Sequence, residues 1–355
     1  MPAPNLAEAL QDVSERLDRL LATATLPTTV RPAALAEAVL AYPRRGGKRL
    51  RPALLLWSCG AVGGDPEPAW PAALAVELYH NWTLVHDDII DGDETRRGRP
   101  ACHVLLRAAC PRPAEAAKFG ADLAILAGDI QHGWAAASLA AGHRHGVRAE
   151  VVLALLERLH GWLTPALISG EALDVEFACR PPGAVPAAAL EEMMAGKTGA
   201  LLQFCAEAGA MIGLDETDPA HPLAAGLGRF ARQGGIAFQL IDDWLGLFGD
   251  EARLGKPVGA DLREGKQTLL LALGLERLQG PDRAELLAMV GRPGLPPAAV
   301  ERARALLRGC GAEAELLARA RTLAAQAAAE LQPLAATPYR ALLAAWLDAL
   351  VHRTA

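Results

Sequence analysis

The sequence predicts an all-α protein of one domain, on three observations. Alanine and leucine dominate its 355 residues while runs of β-branched residues are scarce, a balance that favours helix over sheet. Apolar residues recur at helical spacing almost throughout, beginning with Leu6, Leu10, Val13, Leu17 and Leu20 with Leu21. Pro/Gly-rich connections separate the periodic segments, with no strand-like alternation between them.

In chain order, helices are expected over 5–22, 32–42, 50–63 and 70–91, the last two divided by GGDPEP. Next come 113–140 and 147–177, which ends at RPPGAVP, then 187–212, which ends at LDETDPAHP. Helices over 221–249 and 267–278 follow, and VGRPGLPP precedes the last three, 297–307, 312–331 and 337–352. The final stretch, LLAAWLDALVHR, reads as an amphipathic closing helix. None of the connections is long or polar enough to mark a domain linker.

Composition narrows the function classes. With 35 basic against 41 acidic residues the formal charge is −6, which argues against a nucleic-acid binder and requires any anion site to be local. The six cysteines are scattered with no CxxC pair, a pattern that fits reduced thiols in a cytoplasmic protein. MPAPNLAEALQDVSERLDRLL lacks the basic start and apolar block of a secretory signal. No uninterrupted apolar stretch reaches the roughly 18–20 residues of a spanning helix, so a soluble chain with no transmembrane segment is expected.

The stretch LVHDDIIDGDETRRGRP (84–100) ends an apolar helix in Asp87, Asp88 and Asp91, with Arg96 and Arg97 just beyond. Carboxylates grouped at such a place cost desolvation and self-repulsion unless something multivalent lies between the two signs of charge. Residues four apart on a helix lie about 40° apart, so Asp87 and Asp91 share a face. All-oxygen sites of this kind suit Mg²⁺, which keeps waters and bridges to substrate phosphates, and the arginine forks match phosphate geometry. A solvated acidic helix end followed by a basic loop fits this stretch alone equally well.

A second stretch, QLIDDWLGLFGDE (239–251), echoes the first, with Asp242 and Asp243 after an apolar run and Asp250 beyond. Two helices of one bundle presenting these clusters across a shared cavity would make a carboxylate centre. Cations accompany both: Lys48, Arg49 and Arg51 in RRGGKRLRP, Lys197 in GKT, and Lys256 and Lys266 in GKPVGADLREGKQT. The GKT lacks the first glycine of a P-loop, so alone it signals little. The grouping suggests two anion pockets around a metal centre.

The ordered set GGKRLRP, HDDIIDGDETRRGRP, GKT, FQLIDDWLGLFGD and GKPVGADLREGKQT resembles the trans-isoprenyl diphosphate synthases, the family of farnesyl and geranylgeranyl diphosphate synthases. By motif the resemblance runs from about residue 44 to 270. It implies a bundle of mostly antiparallel helices, about 10–13 of them, around a central apolar cavity. It also implies Mg²⁺ as cofactor, three ions per site with Mn²⁺ as a substitute, held by Asp87, Asp88, Asp91, Asp242 and Asp243. Arg96, Lys197 and Lys256 would grip an allylic diphosphate, with Lys266 nearby. Lys48, Arg51, His80 and Arg97 match the isopentenyl diphosphate site, and Thr198 and Gln239 match positions close to the reacting carbons. Relatives are usually homodimers, which an Ala/Leu-rich helical surface permits.

The implied chemistry accounts for the opening stretch. Cleaving an allylic C–O bond leaves a diphosphate whose growing charge metal ions and fixed cations stabilise more in the transition state than before it. The double bond of isopentenyl diphosphate then attacks the allylic cation, and the surrounding wall must be apolar and dry.

The chain departs from the family pattern at two positions: Gly246 stands where most relatives have a third aspartate, and Glu171 where glutamine is common. Trp82 and Thr83, five and four residues before Asp87, occupy the positions that limit product length. One aromatic there with a short DDxxD resembles enzymes that stop at the C20 product rather than at the C15 product of farnesyl synthases. A class I terpene cyclase is the nearest rival, but it needs no isopentenyl diphosphate pocket, and its second motif wants Ser/Thr at 246 and Glu at 250. A non-catalytic subunit of a prenyl synthase would have lost first-motif aspartates, and these are intact.

Overall fold

The computed structural model describes residues 5–23, 29–249 and 258–351. Lys256 and Asp250, both singled out above, lie outside the described residues. The fold is all-α: α1 (Leu6–Thr23), α2 (Ala33–Ala41), α3 (Leu50–Ala61), α4 (Trp70–Ile90), α5 (Cys102–Arg107), α6 (Ala116–Ala140), α7 (Ala149–Arg158), α8 (Thr164–Ala178), α9 (Ala187–Met194), α10 (Ala200–Leu214) and α11 (Pro222–Phe248). After these come α12 (Ala260–Glu264), α13 (Leu269–Arg277), α14 (Gly280–Leu287), α15 (Pro297–Gly309), α16 (Ala312–Glu330) and α17 (Pro338–Val351).

The expected helices are present, and four elements were not foreseen. α5, α12 and α14 are each eight residues or shorter, too brief to show a period. The fourth is a two-stranded antiparallel ladder, β1 (Thr95–Arg96) and β2 (Arg99–Pro100). Arg97 and Gly98 at its tip have φ of 54° and 71°, the positive pair that a tight hairpin turn demands. A left-handed arginine costs roughly 1–2 kcal/mol, so other contacts must hold Arg97 there.

Contacts gather the chain into two compact units. Unit 1 comprises residues 1–159, 205–225 and 334–343; unit 2 comprises 160–204, 226–333 and 344–355. In unit 1, α4 and α6 pack along each other. Fully buried Leu54 and Leu55 of α3 and Leu78 and Val85 of α4 carry much of the core, each worth roughly 1.5–3 kcal/mol on burial. Within that core the Arg49 guanidinium is closed off from solvent. It donates to Glu77 of α4, to Asp18 of α1 at 3.0 Å and to the Pro43 carbonyl at 2.7 Å. A buried charge with one partner removed is strongly destabilising, so this junction locks α1, α3 and α4 together.

Unit 2 is cored by Leu190 and Met194 of α9, Leu240 and Leu245 of α11, Leu269 of α13, Leu307 of α15 and Leu316 of α16. Two five-residue π-helical segments, 159–163 and 195–199, interrupt otherwise α-helical runs. The helix Ala149–Ala178 is, by length and composition alone, long and apolar enough to cross a membrane, although Arg158 within it pairs with buried Glu207 at 2.8 Å.

Candidate active site

In unit 1 the acidic cluster closes α4. Carboxylates at a helix C-terminus oppose the helix dipole, at about 0.3–1 kcal/mol each. Asp91 caps the helix through its own N–H to the Asp87 carbonyl (2.8 Å) and is exposed. Asp87 is half-buried and Asp88 completely buried. Both Asp88 oxygens are engaged: Oδ1 accepts from Nε (2.7 Å) and Nη2 of Arg96, and Oδ2 accepts from the Tyr42 hydroxyl. Arg96 also reaches Asp93 at 3.2 Å and Asp87 at 3.6 Å. Burial pulls its pKa down, but Asp88, Asp87 and Asp93 more than compensate and raise it above the ordinary arginine value. The hairpin thus returns a cation onto the carboxylates that α4 presents.

A second cationic group lies beside it. Nη1 of Arg51 donates to Nε2 of His80 at 3.1 Å. Because arginine has no acceptor, Nε2 must be the bare nitrogen of a neutral imidazole. Burial first, then Arg51, Arg97, Arg96 and Arg49, holds His80 well below its usual pKa of 6.5. Arg97 donates to the Gly46 carbonyl, which fixes its left-handed backbone against the glycine loop that carries exposed Lys48. Arg51, His80 and Arg97 are therefore brought together.

Trp82 is buried on α4, 4.9 Å ring to ring from Tyr79 and 4.4 Å from His132 of α6. Thr83 turns its hydroxyl back onto the His80 carbonyl at 2.8 Å.

In unit 2 a cleft is lined by Asp174, Lys197, Thr198, Gln239, Asp243 and Lys266, with Leu190, Met193, Met194 and Leu269 as its apolar wall. Lys197 and Thr198 sit in the π-helical segment 195–199, a widened turn of the kind frequent at functional sites. A Cβ added at Gly170 would lie 2.2 Å from the Lys197 backbone nitrogen, so glycine there lets α8 meet that segment directly. Lys197 Nζ pairs with Asp174 (2.6 Å) and Glu171 (3.0 Å). This accounts for Glu171: a glutamic acid adds a second negative charge to a lysine that Asp174 alone would hold.

Gln239 donates to Asp243 at 3.0 Å, one turn along α11. Burial raises the Asp243 pKa to about 7; Lys266 and Gln239 work against that, while Asp261 and Asp242 add to it. Desolvation lowers the pKa of Lys266, yet Asp261, Asp243 and Asp174 leave it above the ordinary lysine value. Gly246 faces Asp261: a Cβ there would lie 2.9 Å from Asp261 Oδ2. Asp261 therefore stands close against the position where an aspartate was expected.

Among the described residues no three His, Cys, Asp or Glu side chains gather closely enough to hold an ion by themselves. One or two carboxylates completed by water and substrate phosphate is how Mg²⁺ is usually bound, so the oxygen-only donors of both clusters fit that ion. Sequence reasoning did not single out Tyr42 or Asp261. Tyr42 continues the apolar spacing of Leu35 and Val39 and so reads as core, and Asp261 was read only as part of a lysine-bearing motif.

The family model for polyprenyl synthetase matches residues 32–307. The short chain isoprenyl diphosphate synthase of Methanothermobacter thermautotrophicus is 39% identical over 246 residues, 69% of this chain and 68% of that protein. Geranylgeranyl pyrophosphate synthetase from Pyrococcus horikoshii matches with a TM-score of 0.85 and 35% identity, covering 98% of each chain. The geranylgeranyl pyrophosphate synthase of Corynebacterium glutamicum, solved with isoprenyl diphosphate and magnesium, matches with a TM-score of 0.83 and 30% identity, covering 99% of this chain and 100% of that one. Motifs in order, an all-α fold and a family match across most of its length agree: the chain belongs to the polyprenyl synthetase family.

Proposed function

We propose that the protein is a short-chain trans-prenyltransferase that joins isopentenyl diphosphate to an allylic diphosphate primer and stops at geranylgeranyl diphosphate. The observation that carries this reading is the unit 2 cleft, where Lys197, Lys266, Thr198 and Gln239 converge beside an apolar wall of Leu190, Met193, Met194 and Leu269. Cations there suit a diphosphate, and the apolar wall keeps water from an allylic cation.

In unit 1 Asp87 and Asp91, and in unit 2 Asp242 and Asp243, would hold Mg²⁺, three ions being expected in all. When bound, Mg²⁺ supplies positive charge to the leaving diphosphate. Arg96 would bind that diphosphate from its seat on Asp88, Lys197 and Lys266 would bind it once substrate draws them off their present carboxylate partners, and Lys256 would join them. Arg51, Arg97, Lys48 and neutral His80 would orient isopentenyl diphosphate. Thr198 and Gln239 would turn their dipoles to the developing cation, and the proton lost afterwards would leave to a diphosphate oxygen.

Trp82, braced by Tyr79 and His132, supports a floor to chain growth. Large exposed apolar side chains on unit 1, Ile125, Leu126 and Leu153, support a homodimer. Six free cysteines support a cytoplasmic location.

The test is direct: purified protein, Mg²⁺, isopentenyl diphosphate and C5, C10 or C15 primers, with products read by mass. A C20 product is expected, and Trp82→Ala should lengthen it. A C15 product would shift the reading to a farnesyl synthase; cyclised hydrocarbon without chain extension would make it a cyclase; no condensation with any primer would end it.

A further inference from the structure

Tyr42 belongs to none of the sequence motifs, yet it is the best-placed polar group behind the first acidic cluster. It follows α2, is 2% exposed, and its hydroxyl serves two partners. It donates to Asp88 Oδ2 and accepts from the Cys102 backbone N–H at 2.9 Å. A phenol has one proton, so with the Cys102 N–H as donor that proton can go only to Asp88.

The other face of Asp88 holds Arg96, so the order is Cys102 N–H, Tyr42 hydroxyl, Asp88, Arg96. The same segment grips the hairpin from outside. Arg45 lies over the Tyr42 ring at 4.9 Å and donates to the carbonyls of Pro100 (2.7 Å) and Arg96 (3.5 Å). Asp88 has no lone-pair direction left that is not facing protein, since it is wholly buried between these two donors.

We propose that Tyr42 is a positioning residue: it fixes Asp88, and through Asp88 the guanidinium of Arg96, so that Asp88 serves as the anchor of a diphosphate-binding arginine and not as a metal ligand. The proposal rests on the reading that Arg96 binds a diphosphate. Tyr42→Phe keeps the ring and its stacking with Arg45 but deletes the proton that holds Asp88. Arg96 then has a loosened anchor, and the anion it meets is bound less well.

The experiment uses the whole protein and inorganic pyrophosphate, titrated calorimetrically without metal, for wild type, Tyr42→Phe, Asp88→Asn, the double variant, Arg96→Ala and Gln131→Ala. Gln131 donates to the Val39 carbonyl of α2 at 2.7 Å and is no member of the hydrogen-bonded series from Cys102 to Arg96, so it reports simple loosening of the fold. Tyr42→Phe and Asp88→Asn should each weaken pyrophosphate by about tenfold, and the double variant by no more than either, because the two act in series. Steady-state kinetics should show a raised KM for the allylic diphosphate with that for isopentenyl diphosphate unchanged. Unchanged binding in Tyr42→Phe, additive losses in the double variant, or an equal loss in Gln131→Ala would each overturn the proposal. If Tyr42→Phe does not fold, Asp88→Asn decides alone: a tenfold loss supports the anchor and unchanged affinity removes it. Should Arg96→Ala bind pyrophosphate as wild type does, the role of Arg96 itself fails, which the other variants would distinguish.

Discussion

The two acidic clusters are alike in sequence and opposite in electrostatics. In unit 1 the carboxylate that is completely buried, Asp88, sits between an arginine and a phenol. In unit 2 the buried carboxylate, Asp243, has an amide and a nearby lysine, and burial outweighs both enough to push it to about pH 7. A DD pair after an apolar run therefore does not specify its own electrostatic partners. What decides them is whether a cation is folded back onto it: the hairpin returns Arg96 to the first cluster, whereas Lys266 faces three carboxylates at once. The first cluster is organised by a short ion pair, the second by shared charge within a cleft.

Alanine substitutions should show the largest effect. Asp87→Ala and Asp242→Ala are each expected to lower kcat by a factor on the order of 10²–10³, since each removes stabilisation that matters most in the transition state. Equal losses would mean that both clusters act on one step; a loss confined to Asp87→Ala would break the pairing of the two.

Stability against pH should separate the clusters next, measured on metal-free protein. Asp243 has a folded pKa above its ordinary 3.8, so its contribution is present at low pH and is lost as pH rises from about 4 to 7. His80 has a folded pKa well below 6.5, so its contribution is present above that pH and is lost as pH falls. Asp243→Asn should raise Tm at pH 8 by roughly 2–4 °C per kcal/mol regained and flatten the slope between pH 4 and 7. His80→Gln should flatten the profile below 6.5 instead. The same slope in wild type and Asp243→Asn would refute the assignment.

Two smaller changes sharpen the unit 2 description. Glu171→Gln removes one of the two carboxylates on Lys197, and the KM for the allylic diphosphate should fall about two- to fivefold, the scale of a partly buried ion pair still open to solvent. Gly246→Asp restores the expected carboxylate but forces it against Asp261. We expect no gain in kcat and a loss of about 1 kcal/mol in chemical denaturation, with the helix propensity gained over glycine not covering the repulsion. A faster enzyme would show instead that position 246 has room for an aspartate.

The long helices were legible because their apolar stripes repeat over several turns, as in α4 and α11. The hairpin was not, since its two-residue strands have no period, and its turn depends on a positive φ at Arg97 that nothing in the residue type announces. Within the site, Arg51 with His80, and Lys197 with Thr198 and Gln239, were named from motifs and are found together. Glu171 was noticed as an oddity without a cause, because its partner Lys197 is 26 residues away.

By itself the sequence determined the helical class, the oxygen-rich chemistry of the two motifs and the grouping of cations near them, because each is written in residue type and short spacing. The tertiary structure alone decided which carboxylates are neutralised and by what. Tyr42 reaches Asp88 across 46 residues and Asp261 settles against Gly246, contacts set by packing and burial that no local pattern encodes.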